Sequence, residues 1–219
     1  MKNYQRGRQA LRERLSQHAC APQQLKGVPT VAHLRATVGT SFNGLDAGAN
    51  EFWLWHGTKP PTADILATSG FDERVAALRG LYGAGNYFAD AFCKSNQYAT
   101  ETNARGEHCV LYCRVTVGCA YRTARLHRNA RRPPDNDATP GAPHDSIFAE
   151  SGVANGGQQA HNEFVCFSKE QVYVIATRDR LAIVMHCSGQ GTRYLSIVYP
   201  AIPGYRTPVL LAQPTRHGT

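Results

Sequence analysis

Residues 51–100 carry the side chains whose types and spacing best suit catalysis. This segment contains a His-Gly pair at 56–57 directly after a strand-like run, a glycine-rich loop, and two tyrosines, Tyr87 and Tyr98. Glu163 lies further along the chain in a second strand-like run, NEFVCF. Each feature alone is a weak signal. Together they predict an enzyme site.

The composition fits a single domain of mixed secondary structure. The chain has 219 residues, and 42% of them are hydrophobic, which is enough for one buried core. Its 20 glycines and 12 prolines favour short strands and structured loops over a helical bundle.

The chain is basic, with a formal net charge of +8 and a pI of about 9.3. Such a surface favours polyanions such as nucleic acid or nucleotide phosphates. Most of the basic residues are scattered, as on an ordinary solvated surface. The exception is a loop-like region at 122–132 that contains Arg122, Arg125, Arg128, Arg131 and Arg132. Contact with nucleic acid through this loop is therefore one hypothesis.

The cysteine pattern predicts reduced thiols and an intracellular protein, nuclear or cytoplasmic. The seven cysteines are odd in number and irregularly spaced, so we expect no disulfide requirement. His108, Cys109 and Cys113 lie close together but lack a paired CxxC motif and a fourth ligand, so no metal site is predicted. No secretory signal or apolar run of membrane length is visible, so no membrane contact is expected.

The order of predicted elements, one helix and then many strands with a few short helices, indicates an α+β fold with a mostly antiparallel sheet. The predicted helices are residues 4–17, 63–68 and 88–98. The predicted strands are 52–56, 108–118 and the runs SIFAESG, NEFVCF, QVYVIATR, LAIVMHC and YLSIVYP. Glycine and proline place loops at 71–85 and 122–145.

Four separated motifs, LWHGT, GLYGAGNYFAD, CKSNQY and NEF, together resemble the catalytic domain of the poly(ADP-ribose) polymerases, in particular its tankyrase-like branch. The resemblance covers about residues 50–178. It implies an ADP-ribosyltransferase fold with a split, mostly antiparallel β-sheet and a few short helices. We therefore expect an N-terminal helical and loop extension at 1–49, the catalytic core at 50–180, and a strand-like tail at 181–219.

The resemblance implies a catalytic triad of His56, Tyr87 and Glu163 and NAD+ as co-substrate; no metal is expected, because the residues of a zinc site are missing. His56 would bond the adenosine-side ribose hydroxyl. The backbone of Gly57 would pair with the nicotinamide amide, because no side chain blocks close approach. Thr58 replaces the usual serine of the family and keeps a hydroxyl group there.

The remaining implied contacts surround the nicotinamide ring and its ribose. Tyr87 and Tyr98 would pack on opposite faces of the ring, and Ser95 would donate to the nicotinamide carbonyl. Glu163 would stabilise the oxocarbenium-like sugar, bond the ribose 2′-hydroxyl and activate the incoming acceptor. Taken singly, these residues could be a turn histidine, core aromatic residues and an edge charge, but the joint pattern favours function.

Three further features of the sequence bear on this interpretation. Asn86 stands where the family usually has an aliphatic residue before the tyrosine, so the packing under the triad can differ. The zinc-ligand insertion typical of tankyrases is missing, since only residues 100–108 bridge that gap. The glycines at 80, 83 and 85 lack the GxGxxG spacing, which argues against a Rossmann dehydrogenase.

The leading functional prediction is an NAD+-dependent protein ADP-ribosyltransferase with chain elongation. The alternatives are a mono-ADP-ribosyltransferase, a transferase that acts on nucleic acid guided by the 122–132 loop, and a non-catalytic module that binds ADP-ribose or RNA. An intact His-Tyr-Glu set argues against the last, because binding alone does not require Glu163. Acceptor identity and oligomeric state stay open.

Overall fold

The computed structural model of the chain describes residues 1–17, 44–76, 80–102, 104, 107–137, 141–150, 161–174, 182–187, 193–198 and 210–211. Within them the helices are α1 (Lys2–Gln17), α2 (Pro60–Ser69) and α3 (Phe92–Asn96). The strands are β1 (Glu51–Thr58), β2 (Asn86–Phe88), β3 (Glu107–Thr116), β4 (Ala120–Thr123), β5 (Ser146–Ala149), β6 (Glu163–Cys166), β7 (Val172–Val174), β8 (Ala182–Cys187), β9 (Arg193–Val198) and β10 (Leu210–Leu211).

The described strands form two sheets. One has the order β1-β3-β8-β9-β10, with β7 also paired to β3, and the other has the order β2-β6-β5-β4. Every pair is antiparallel except β4 with β5, which run parallel. The predicted α+β class with a mostly antiparallel split sheet is therefore confirmed.

Strand β1 forms because its apolar side chains are buried along an uninterrupted pairing with β3. The register runs from Glu51 opposite Thr116 to Thr58 opposite Cys109. Leu54 of β1 belongs to the main core cluster, which also contains Phe88, Phe148 and Phe164 from the other sheet. The end of β1 is thereby held against the core at the point where the chain reads His-Gly.

Helix α1 is attached to the start of β1 through a buried carboxylate. The side chain of Glu51 accepts hydrogen bonds from the Tyr4 hydroxyl and from the Arg114 guanidinium, with Arg114 contacts at 2.6 and 2.7 Å. Burial acts to raise the pKa of Glu51, but the hydrogen bonds from Arg114 and Tyr4 outweigh it and hold the pKa below its usual range. This network joins α1 to the strand pair that carries the site.

The predicted helix at 88–98 is wrong in its first half. Phe88 is a strand residue of β2 opposite Phe164, and Ala89 forms a bridge with Trp55, so the helix begins only at Phe92. Pairing with β6 satisfies the backbone and buries Phe88, and this tertiary gain overrides the local helical spacing.

The expectation that no cysteine is paired is wrong for Cys119, which is disulfide-bonded. The free cysteines among the described residues are Cys93, Cys109, Cys113 and Cys166. An odd total, as seen in the sequence, does not exclude one bridge among seven cysteines.

Several sequence predictions lie partly outside the described residues. Much of the 1–49 extension, the end of the QVYVIATR run and most of the 181–219 tail are in this group. No described helix is long and apolar enough to cross a membrane. Within the part of the chain that the structure describes, no group of three or more His, Cys, Asp or Glu residues is arranged to hold a metal ion.

Candidate active site

A cavity of about 460 Å³ opens where β1, β2, α3 and β6 meet. Such a volume is in the usual range for small-molecule sites. Six of the predicted site residues line it, namely His56, Gly57, Tyr87, Ser95, Tyr98 and Glu163. Thr58 is not among the lining residues and lies one position further along β1, opposite Cys109.

The ring of His56 is fixed by one hydrogen bond and two aromatic neighbours. Its Nδ1 lies 2.8 Å from the carbonyl oxygen of Tyr87. The rings of Phe71 and Phe88 lie 4.8 and 5.5 Å away, centroid to centroid. Burial lowers the pKa of His56, and the bond to the Tyr87 carbonyl opposes part of that shift. The neutral ring therefore carries its proton on Nδ1, which leaves Nε2 as an acceptor for a ligand hydroxyl.

Gly57 is the point of closest approach between β1 and α3. A Cβ atom at this position would lie 1.7 Å from the carbonyl oxygen of Ser95, so no other residue fits without moving the backbone. The Ser95 hydroxyl donates to the Trp55 carbonyl at 2.9 Å. That carbonyl also accepts from the Ala89 backbone at 2.9 Å, so the hydroxyl can turn towards a ligand and leave the carbonyl paired.

Tyr87 holds the glycine-rich loop in place as well as lining the cavity. Its hydroxyl donates to the Gly83 carbonyl at 2.8 Å and accepts from the Tyr82 backbone at 2.9 Å. A Cβ atom on Gly80 would lie 2.2 Å from the same hydroxyl. Burial raises the pKa of Tyr87 far above its usual range, so the phenol stays protonated and keeps both bonds.

The carboxylate of Glu163 is buried and paired with a lysine. Lys94 Nζ lies 2.8 Å from Glu163 Oε1, and the side chains are only 13% and 4% exposed. The same ammonium group lies 5.2 Å from the centre of the Tyr98 ring, which is exposed on its other side. Burial acts to lower the pKa of Lys94, but the bond to Glu163 raises it overall, so the lysine stays charged. Lys94 therefore links the carboxylate to the exposed tyrosine.

Sequence reasoning missed Lys94, although it stands beside Ser95 in the motif CKSNQY. Lys94 lies on the short helix α3, and nothing in the local sequence relates it to Glu163, which lies on a strand far along the chain. Only the folded arrangement brings its ammonium group to Glu163. The available signal was its position directly before Ser95, a residue already proposed to bind the ligand.

We predict that Lys94→Met slows ADP-ribose transfer by about tenfold or more, while Lys94→Arg slows it less, because arginine can still pair with the carboxylate. The physical reason is that Lys94→Met leaves the buried carboxylate of Glu163 without the ion pair that holds it in place. The measurement is the initial rate of ADP-ribose transfer by the wild type and both variants, together with NAD+ affinity and the thermal midpoint. Equal transfer rates for wild type and a folded Lys94→Met would contradict a role for Lys94 in positioning Glu163.

The basic segment 122–132 lies against the wall of the cavity. Its backbone forms two hydrogen bonds with the glycine-rich loop. The Ala84 N–H of the loop donates to the Ala130 carbonyl at 2.7 Å, and the His127 N–H of the segment donates to the Leu81 carbonyl at 2.9 Å. Two of its arginines form ion pairs with acidic residues, Arg122 with Glu150 and Arg132 with Asp135. In the described residues the other three, Arg125, Arg128 and Arg131, are exposed and form no ion pair.

Comparison with known families identifies the class of this domain. The sequence profile described as "PARP: Poly(ADP-ribose) polymerase catalytic domain" matches residues 2–175. The chain belongs to this family. Members of this family are NAD+ ADP-ribosyltransferases, and they use NAD+ as co-substrate.

Individual relatives are similar at low identity. "Poly [ADP-ribose] polymerase 2" of Arabidopsis thaliana is 25% identical over 170 residues, which cover 66% of this chain and 26% of that protein. "Protein mono-ADP-ribosyltransferase PARP12" of Mus musculus is 32% identical over 126 residues, which cover 57% of this chain and 16% of that protein. "Poly [ADP-ribose] polymerase tankyrase" of Caenorhabditis elegans is 38% identical over 72 residues, which cover 32% of this chain and 3% of that protein. The chain thus spans about a quarter or less of the length of these relatives.

Proposed function

We propose that this chain transfers ADP-ribose from NAD+ to protein acceptors, with cleavage of the nicotinamide–ribose bond in the cavity between β1 and α3. The observation that carries the proposal is the buried carboxylate of Glu163, 2.8 Å from the Lys94 ammonium and on the wall of the cavity that His56 and Gly57 also line. The close approach of Gly57 to the Ser95 backbone supports it, since it brings α3, which carries Lys94 and Ser95, against the end of β1.

In the proposed complex, the nicotinamide end of NAD+ is held by backbone and aromatic contacts. Gly57 pairs with the carboxamide through its backbone, and the Ser95 hydroxyl turns from the Trp55 carbonyl to the carboxamide oxygen. Tyr87 and Tyr98 pack on the two faces of the ring. His56 accepts from the adenosine-side ribose hydroxyl at Nε2, because its Nδ1 is committed to the Tyr87 carbonyl.

Glu163 acts on the sugar. Its carboxylate stabilises the positive charge that develops on the ribose as nicotinamide departs, and it bonds the 2′-hydroxyl. It then accepts the proton of the incoming acceptor group. The Lys94 ammonium, 2.8 Å from Glu163 Oε1, holds the carboxylate in place, so we treat Lys94 as a positioning residue for Glu163.

We further propose that the enzyme elongates the modification and lies in the tankyrase-like branch. Glu163 at the third position of the triad permits a ribose hydroxyl to serve as the next acceptor. The names of two relatives, a poly(ADP-ribose) polymerase and a tankyrase, agree with elongation. The name of another, a mono-ADP-ribosyltransferase, favours single transfer, which is the second candidate. The three exposed arginines beside the cavity wall favour a nucleic-acid acceptor as a third.

Sizing the labelled product separates these candidates. The wild-type chain is incubated with NAD+ labelled in the adenylate phosphate and with a mixture of protein and RNA. A protease-sensitive ladder of products supports protein elongation, and a single protease-sensitive addition supports mono-transfer. A label that resists protease and is released by nuclease would overturn the assignment to protein acceptors.

We predict that Tyr98→Ala weakens binding of 3-aminobenzamide by roughly tenfold or more, since base–aromatic stacking contributes about 1–3 kcal/mol. Tyr98→Phe keeps the ring and should bind within about threefold of the wild type. Titration calorimetry on the three proteins measures the effect. Equal affinity of Tyr98→Ala and wild type would mean that Tyr98 does not stack on the ligand.

A further inference from the structure

The carboxylate proposed to act on the sugar stands at the very start of its strand. Glu163 is the first residue of β6, and the pairing of β6 with β2 stops one residue short of it, at Phe164 opposite Phe88. Strand β2 then joins β1, because Ala89 exchanges two backbone hydrogen bonds with Trp55, at 2.8 and 2.9 Å. Pairing with β5 holds Glu163 on one side only. On the β2 side, its position depends on contacts beyond the strand ladder.

A side-chain hydrogen bond begins where this ladder ends. Asp90 follows Ala89 directly, and Asn162 precedes Glu163 directly. Asn162 Nδ2 donates to Asp90 Oδ2 at 2.7 Å, and both residues are partly buried. The distance is at the short end of the range for an N–H···O bond, as is usual for a carboxylate acceptor. This bond ties the start of β6 to the segment that leads from β2 into α3.

Two further contacts join the start of β6 to α3. Cys93 Sγ lies 3.8 Å from the Nε2 atom of His161. Lys94 Nζ lies 2.8 Å from Glu163 Oε1. Three consecutive residues at the start of β6 therefore contact α3 or the segment that leads into it. Because α3 also supplies Lys94 and Ser95 to the cavity lining, these contacts connect the carboxylate to the wall of the cavity.

We propose that Asp90 and Asn162 are positioning residues for Glu163, whose hydrogen bond fixes the place where the carboxylate meets the ribose. The proposal rests on the proposed function, which makes Glu163 the group that stabilises the charge on the sugar. Neither residue belongs to the described lining of the cavity, so they act through Glu163 and not by contact with NAD+. A displacement of about 1 Å at a reacting group can cost roughly 10²-fold in rate, so one such bond can matter for transfer.

Asp90→Ala removes the acceptor of the bond and leaves the cavity lining unchanged. We expect ADP-ribose transfer at saturating NAD+ to slow by roughly tenfold, and NAD+ affinity to stay within about threefold of the wild type. Asp90→Asn keeps an oxygen that can accept from Asn162, so it should transfer within about threefold of the wild type. The measurements are the initial rate of transfer, titration calorimetry with NAD+ and the thermal midpoint of each protein.

A double-mutant cycle distinguishes positioning of Glu163 from a general loss of structure. In the Glu163→Gln background the charged group that Asp90 positions is already gone. Adding Asp90→Ala to Glu163→Gln should therefore slow the residual transfer by less than about twofold, against roughly tenfold in the wild-type background. A purely structural role would reduce the rate by the same factor in both backgrounds.

Asn162→Ala removes the donor of the same bond and serves as the second variant if Asp90→Ala does not fold. Wild-type transfer by either folded variant would overturn the inference and leave the proposed function standing. An equal loss of rate in the two backgrounds, or a loss of rate matched by a loss of NAD+ affinity, would do the same. If Glu163→Gln alone transfers at the wild-type rate, the proposed function itself fails, and the inference fails with it.

Discussion

Glu163→Gln should slow ADP-ribose transfer by about 10²–10³-fold and leave NAD+ affinity within about threefold of the wild type. Glutamine keeps the size of the side chain and can still bond a ribose hydroxyl. It carries no charge to stabilise the oxocarbenium-like sugar or to accept a proton from the acceptor. The lost interaction is therefore one that forms mainly in the transition state, so the rate falls and the binding does not.

The matched control is Glu101→Gln, a half-exposed glutamate that pairs with Lys59 outside the cavity lining. It should transfer at the wild-type rate, because surface ion pairs of this kind contribute little. Glu163→Gln also loses its charge pairing with Lys94, so its thermal midpoint is measured to exclude unfolding. Transfer by Glu163→Gln near the wild-type rate would mean that the NEF motif does not supply the catalytic carboxylate.

Gly57→Ala should abolish detectable NAD+ binding and lower the thermal midpoint by several degrees. The added Cβ atom would lie 1.7 Å from the Ser95 carbonyl oxygen and 2.6 Å from its carbonyl carbon. Because both are backbone atoms, β1 and α3 must move apart by about 1 Å, and a displacement of this size takes Gly57 and Ser95 out of the positions proposed to hold the carboxamide. Calorimetry and thermal melting measure the two effects.

The double variant Gly57→Ala/Ser95→Ala tests whether the clash involves the backbone or the hydroxyl group of Ser95. The clash is with the backbone of Ser95 and not with its hydroxyl, so the double variant should melt no higher than Gly57→Ala. Recovery of the wild-type midpoint in the double variant, or wild-type NAD+ affinity in Gly57→Ala alone, would contradict the close approach of β1 and α3.

The fold class could be predicted from sequence because the signals for strands are local, whereas the site residues were implied by the resemblance of four motifs to a known family. The run FWLWH is apolar enough to specify a buried strand, although the structure continues this strand through the His-Gly pair to Thr58. The prediction of a helix beginning at Phe88 was wrong because the deciding contact is not local. Its spacing suits a helix, but pairing of Phe88 with Phe164 depends on a strand that is distant in sequence.

The contacts that sequence did not reveal are all long-range. Lys94 carries no local mark of its ion pair with Glu163. The disulfide at Cys119 could not be predicted from an odd number of irregularly spaced cysteines. The parallel pairing of β4 with β5 was also not predicted, because the sequence indicated a mostly antiparallel sheet. Asn86 was visible as a departure from the family, but that its buried Nδ2 atom has no hydrogen-bond partner in the described structure becomes apparent only when the surrounding atoms are placed.

The most direct test of the central claim is the release of nicotinamide from NAD+ by the wild-type chain, measured together with incorporation of labelled ADP-ribose into protein. We predict that nicotinamide is released at least as fast as label is incorporated, and that both rates fall together in Glu163→Gln while NAD+ still binds. Absence of nicotinamide release by a folded wild-type chain that binds NAD+ would contradict the account, because the cavity would then hold the nucleotide without cleaving it.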